Sequence, residues 1–234
     1  SGWSSVVARG ITYIGDLKAE GGPLHDYPVV INMSLGGPEL DAMEKVAVDY
    51  AIGQGVIIVA SAGNEGTAGM GYPGAYEPVI SVAASGWVGE WTSGGWWASN
   101  VPDPTDINQF YITDFSSREL PGQYLDVAAP GSWIVGPYQK NSGQLSYYYL
   151  GGTSMASPHV AGIAALLVQE RPELIQGDVE AILKGSAIYL PAGCRDIMDP
   201  NAGPTTICWD DDATGAGLTT ADAAIAYMLS YEQP

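Results

Sequence analysis

Residues 28–60 read PVVINMSLGGPELDAMEKVAVDYAIGQGVIIVA. Pro28 to Met33 is an almost continuous apolar run, as a strand buried on both faces requires. Pro38 and Glu39 then open a helix with Leu40, Met43, Val46, Ala47 and Tyr50 on one face, and Gly53 and Gly55 end it. Val56 to Ala60 is a second apolar strand. Strand, helix and strand with short connections predict a parallel sheet covered by helices, the α/β class. Upstream, Trp3, Val6, Val7, Ile11, Ile14 and Leu17 recur at helical spacing, so a helix is expected over 3–19, stopped by Gly21-Gly22-Pro23. Downstream, Val79 to Ala83 reads as a third strand, with short strands near Leu125–Ala129 and Tyr147–Leu150. Helices are expected over 154–170, 177–186 and from Thr219 or Thr220 onward, the last carrying Ala223, Ala224, Tyr227 and Met228. Between Ser85 and Asp114 the pattern loosens, with Trp87, Trp91, Trp96 and Trp97 among Gly, Ser and Pro. That stretch reads as a long surface excursion.

The chain has 234 residues, 46% of them apolar, enough for one domain with its own core. It carries 26 acidic residues against 8 basic ones, a net charge of -18. Such a surface argues against nucleic acid or an anionic membrane as partner, since both are polyanions. No apolar run is long enough to span a bilayer. The opening residues SGWSSVVARG carry neither an initiator Met nor a basic-then-apolar leader, so the expectation is a mature chain or a part of a larger precursor. Cys194 and Cys208 flank RDIMDPNAGPTTI, which reads as a surface loop. A disulfide closing it would imply an oxidising compartment, and two free thiols are the alternative.

The segment that points to chemistry is Gly151-Gly152-Thr153-Ser154-Met155-Ala156-Ser157-Pro158-His159-Val160-Ala161-Gly162. A strand ends in two glycines, and a serine then opens a helix. The unpaired N–H groups and positive end of that helix favour an anion developing beside the serine. A lone Gly-Thr-Ser would more often be a helix cap. The full run, however, closely resembles the active-serine motif of the subtilisin family of serine peptidases. Further segments resemble family landmarks in the family's order. Val30-Ile31-Asn32-Met33-Ser34-Leu35-Gly36-Gly37 resembles the segment that pairs with the substrate backbone. Ala60-Ser61-Ala62-Gly63-Asn64-Glu65-Gly66 resembles the one carrying the oxyanion asparagine. Gly71-Tyr72-Pro73-Gly74-Ala75-Tyr76 resembles the base of the specificity pocket. Phe115-Ser116-Ser117 and Asp126-Val127-Ala128-Ala129-Pro130-Gly131 resemble later landmarks.

The resemblance implies the C-terminal portion of a single subtilisin-like domain over 1–234: a mainly parallel sheet with helices on both faces, incomplete without an N-terminal piece. Within it, 85–114 is a Trp-rich surface insertion and 188–234 a divergent extension. It implies a secreted serine endopeptidase working through an acyl-enzyme, with no cofactor for chemistry. Ser154 would attack the peptide carbonyl, and the Asn64 amide and the Ser154 N–H would bind the oxyanion. Ser34, Leu35, Gly36, Ala62, Gly63 and Gly71 would contact a protein or peptide substrate, with Gly71 leaving room for a large apolar side chain or, in acidic surroundings, a basic one. Structural calcium is a further implication, with Asp126 near it. The aspartates at 196, 199 and 210–212 could also hold a cation or simply be solvated.

A serine nucleophile needs a base and an orienting carboxylate. The family's Asp and His motifs precede the segment equivalent to Ser1, and this sequence has neither. His159 lies five residues beyond Ser154 on one helix, about 7.5 Å along and roughly 140° around it, so its ring cannot meet the serine. It is expected to be a helix-packing or core residue. His25, beside Asp26, reads as a solvated loop residue. The triad Asp and His are therefore expected from a separate N-terminal fragment of the same precursor, whose absence should leave Val56–Ala60 and its neighbours facing an open edge. A catalytically silent binding protein of this fold is the competing reading. A sedolisin-type peptidase is disfavoured by Asn64 and the Pro-His-Val-Ala-Gly run.

Overall fold

The structure is a computed structural model and describes residues 2–92, 101–139, 141–143 and 146–230. In chain order, α1 (Gly2–Lys18), β1 (Val29–Met33), α2 (Ala42–Gly53), β2 (Val56–Ser61) and β3 (Ile80–Trp87) form the first half. β4 (Phe110–Ile112), β5 (Val127–Pro130), β6 (Ile134–Tyr138), β7 (Ser146–Leu150) and α3 (Thr153–Glu170) follow. The chain then runs through α4 (Gln176–Ser186), β8 (Gly193–Asp199), β9 (Gly203–Trp209) and α5 (Ala221–Ser230). β1, β2, β3 and β5 are parallel neighbours, and β4 pairs antiparallel with the end of β3.

β2 explains the layering. All six of its residues are buried, and successive side chains point to opposite faces. Ile57 and Val59 join Ile80, Val82 and Val127 beneath Val160, Ala164 and Leu167 of α3. Val56, Ile58 and Ala60 face the other way, against Ile11 of α1 and Ala47, Val48 and Ala51 of α2. Each such buried Val, Leu or Ile side chain contributes ~1.5–3 kcal/mol of transfer free energy. α1 and α2 approach closely at Gly15, where a Cβ would lie 2.8 Å from the Tyr50 ring.

Several expectations need correction. β2 does not face an open edge, because it lies between β1 and β3. Among the described residues β1 is an edge strand whose only strand partner is β2, while β4 and β5 each pair with β3 alone. The second helix begins at Ala42, not at Pro38, because Asp41 caps it by accepting from the Met43 N–H at 2.9 Å. Pro38 to Leu40 stay in a loop whose Gly37 bridges to Tyr72. The buried face of α2 is Glu44, Ala47, Val48 and Ala51, while Met43 and Val46 are exposed. The 85–114 stretch is framed by strands: β3 runs on to Trp87, and β4 returns against it. Trp96 and Trp97 lie outside the described residues.

RDIMDPNAGPTTI is a hairpin rather than a loop. β8 and β9 pair from Gly193↔Trp209 to Asp199↔Gly203, and Cys194 and Cys208 face each other across it as a disulfide. Ile207 and Trp209 bury against Phe110, Tyr111 and Leu125. The bridge closes a loop with a sequence separation of 14. Replacing both cysteines with serine is expected to cost ~3 kcal/mol of stability, read as a lower denaturant midpoint that a reducing agent reproduces in the unaltered protein.

Candidate active site

The site forms at the mouth of α3. Gly152, at φ 156°, ends the chain's approach and has no side chain to cap the helix; of the first-turn N–H groups, that of Thr153 goes to Asn64 Oδ1 and that of Met155 to the Gly152 carbonyl. Ser154 sits in that turn. Its carbonyl has no helical donor, because residue 158 is proline, and it accepts instead from Ser34 Oγ at 2.7 Å. The Ser154 hydroxyl lies 3.5 Å from the Ser34 carbonyl oxygen. Asn32 Nδ2 donates to Ser34 Oγ at 3.0 Å, and Ser157 Oγ donates to Asn32 Oδ1 at 2.6 Å. A polar chain thus ties the helix to the end of β1. The apolar pattern gives no hint of it, though Asn32 is the one polar residue in that strand.

Asn64 comes from the loop after β2. Its Oδ1 accepts from the Thr153 N–H at 2.9 Å and from Thr153 Oγ1 at 3.0 Å. With the oxygen committed, the amide nitrogen faces Gly152, and a Cβ there would come within 3.8 Å of Nδ2. Gly63 is required beside it: at φ 108° an added Cβ would meet Glu65 Oε2 at 2.5 Å and Ser117 Oγ at 2.8 Å. Its N–H donates to Thr153 Oγ1 at 3.2 Å. Thr153, not singled out by sequence reasoning, therefore holds both neighbours of the serine.

Ser34, Leu35 and Gly36 run beside Gly71 and Tyr72, joined by the paired Gly37–Tyr72 backbone bonds of 2.9 and 2.8 Å. The Gly71 N–H reaches the Ala62 carbonyl at 2.8 Å. All six residues expected to contact substrate thus converge around one mouth. The histidines do not. His159 is exposed rather than a core residue, with Nδ1 2.8 Å from the Met155 carbonyl oxygen. His25 is exposed in the loop after α1.

Asp126 does not fit a calcium shell. It is 1% exposed, Oδ2 accepts from the Ser81 N–H and hydroxyl, and Oδ1 lies 3.0 Å from Lys184 Nζ. The ammonium already holds the cation position. Among the described residues no three His, Cys, Asp or Glu side chains are grouped to hold a metal ion. This includes the described aspartates near the hairpin.

A second buried carboxyl lies behind the mouth. Glu90 is 6% exposed, accepts from Ser132 Oγ at 2.7 Å and from Tyr111 OH at 3.1 Å, and takes the Trp87 N–H at 3.0 Å. Burial pushes its pKa up from 4.5 to about 7, partly offset by those bonds. A raised carboxyl pKa means the folded state holds the proton more tightly. The associated stability is full below about pH 4.5 and is lost as pH rises through about 7, by roughly 3 kcal/mol at 1.36 kcal/mol per unit. Glu90→Gln should flatten this loss, and denaturant midpoints at acid and alkaline pH check it.

A serine at the opening of a buried helix, beside a tethered amide and behind parallel strand ends, defines an α/β protein with a site of the acyl-transfer kind. The sequence profile of the Peptidase_S8 subtilase family matches residues 1–221, and the chain belongs to that family of serine peptidases. It is 38% identical to thermitase of Thermoactinomyces vulgaris over 170 residues, 73% of this chain and 48% of thermitase. It is 39% identical to subtilisin DY of Bacillus licheniformis over 165 residues, 69% of this chain and 50% of the relative. Among solved structures, sphericase superposes with a TM-score of 0.66 at 28% identity, over 92% of this chain and 63% of that one. The chain spans about half the length of these curated relatives.

Proposed function

We propose that this chain is the serine-bearing part of a secreted subtilisin-type endopeptidase. Ser154 is the nucleophile, the Asn64 amide and the Ser154 N–H bind the oxyanion, and a protein or peptide chain lies along Ser34–Gly36. The observation that carries the reading is the Asn64 amide, fixed through its oxygen by Thr153 so that its donor end stays free at the mouth of α3. A donor held in place before the reaction stabilises developing charge without reorganising.

The base and its orienting aspartate come from polypeptide outside these 234 residues. Two features support a strand docking beside β1. Its edge is unpaired among the described residues. Pro158, His159, Gly162, Ala165 and Leu166 form an exposed, mostly small and apolar stripe on the adjoining α3. The disulfide supports an oxidising compartment. One observation favours the silent binding protein instead: no imidazole faces the Ser154 hydroxyl among the described residues, where its contact is the Ser34 carbonyl.

A fluorophosphonate probe decides between them. Ser154 should label rapidly in the protein assembled with its upstream polypeptide, and poorly in the 234-residue chain alone. No labelling of the assembled protein overturns the peptidase reading. A compact and active 234-residue monomer overturns the need for a partner.

A further inference from the structure

Glu90 is a buried acid that the proposed acyl transfer does not use. Its Oε1 accepts from the Trp87 N–H. Its Oε2 meets Tyr111 OH at 3.1 Å and Ser132 Oγ at 2.7 Å, and those two hydroxyls lie 2.9 Å apart. Three oxygens thus make three mutual contacts. The two hydroxyls bring two protons to them, and a carboxylate brings none. With Glu90 ionised, one contact carries no proton. The neutral acid supplies the third and closes the ring, from Glu90 to Tyr111 to Ser132 and back.

Two tryptophans cover this ring. Trp91 follows Glu90 and Trp133 follows Ser132, at φ 60° and 49°, a region that bulky residues rarely occupy. Their indoles pack edge to face at 5.5 Å, and both pack on Tyr149 of β7. A cavity of about 230 Å³ adjoins Tyr111 and Ser132; its charged groups are Asp114 and Asp199, and no Lys, Arg or His among the described residues lines it. Burial and the Glu90 carboxyl push the Tyr111 phenol up, so Tyr111 keeps its proton while Glu90 titrates.

The ring is tied to the helix that carries the nucleophile. The Gly131 and Ser132 N–H groups both donate to the Ser85 carbonyl, at 2.8 and 3.1 Å. The Gly131 carbonyl accepts from the Gly152 N–H at 2.8 Å, and Gly152 leads into Thr153 and Ser154. Gly131 packs so tightly that an added Cβ would lie 2.8 Å from the Gly152 carbonyl oxygen. A shift of Ser132 is therefore passed to the start of α3.

We propose that Glu90 is a positioning residue for Ser154: as the neutral acid it fixes Ser132 and through it Gly131 and Gly152, and on ionising it releases them. The proposal rests on the peptidase reading above and adds to it a control by pH that acts from behind the mouth. The neutral form prevails below about pH 7, so the loss of catalysis lies on the alkaline side. The upstream base gains competence in the same direction, because it must be unprotonated to accept the serine proton. Glu90→Gln separates the two, since its amide offers N–H donors to the ring at every pH.

The test uses the assembled peptidase. The kcat of the native enzyme divided by that of E90Q should lie near one at acid pH. It should fall by on the order of tenfold as pH rises through the Glu90 titration, with KM little changed, as expected for a misplaced nucleophile. A ratio that stays flat in folded samples overturns the proposal, because an acid with a purely structural role would not move it. Glycine labelled with nitrogen-15 reads the same coupling without catalysis. The Gly152 amide resonance of the native protein should show a titration step that E90Q lacks. S132A keeps the acid but cuts its tie to Gly131, so it should lack the step too, and it carries the test if E90Q fails to fold. The same titration of Gly152 in the native protein and in the folded variants overturns the proposal. If no peptide is cleaved, the peptidase reading fails separately, and the Gly152 resonance still decides the coupling.

Discussion

Ser154→Ala in the assembled enzyme is expected to lower kcat by on the order of 10⁶, a magnitude that itself comes from subtilisin, and to abolish fluorophosphonate labelling. The physical reason is the loss of the hydroxyl that forms the acyl bond in the proposed reading. The helix N-terminus and the Asn64 amide would remain, so residual catalysis over water should survive. Folding should be almost unaffected. The lost hydroxyl makes a 3.5 Å contact with the Ser34 carbonyl, while the bond donated by Ser34 Oγ to the Ser154 carbonyl stays. Single-turnover kinetics and a denaturation curve check both halves. A variant that kept more than a thousandth of wild-type activity would remove Ser154 from the chemistry.

Asn64→Ala should cost about 10²–10³ in kcat with KM little changed, again the scale known for this kind of donor in subtilisin. Alanine also strips Thr153 of its acceptor, so part of that loss could reflect a loosened helix start. Asn64→Asp separates the two effects. Aspartate keeps an oxygen for the Thr153 N–H and hydroxyl but replaces the donor with an acceptor that repels the oxyanion. It should therefore be at least as slow as alanine. A variant N64D of near wild-type rate would show that Asn64 merely positions Thr153.

Much of this was legible in the chain itself. Val56 to Ala60 reads as a buried strand because every residue is apolar, and in the fold it lies covered on both faces. The serine at the start of α3 stands out because a Gly pair, a Thr-Ser and a proline four residues on are unusual together. Other features were hidden. β4, β6, β8 and β9 are short or half-exposed, and their apolar residues alternate too briefly to separate from loop. The buried face of α2 is Glu44, Ala47, Val48 and Ala51 rather than the more apolar Met43 and Val46, because small residues let the helix sit close to β2 and α1, a choice that apolarity counting does not show. His159 looked like a packing residue, yet it belongs to the exposed stripe of α3.

The amino-acid sequence by itself determined the α/β layering, the buried strands and the placing of Ser154 at a helix mouth. These depend on neighbours close along the chain, through periodicity, glycine and proline. Only the tertiary structure decided the rest. It put Thr153 against Asn64 across a separation of 89 residues, Lys184 against Asp126 across 58, and the Gln176 amide onto the Ile58 backbone across 118. It also left, among the described residues, the outer edge of β1 unpaired and the buried Glu44 without an ion-pair partner. Pairings of this kind arise where distant segments meet, and a one-dimensional pattern carries no record of which side chains those meetings bring within 3 Å.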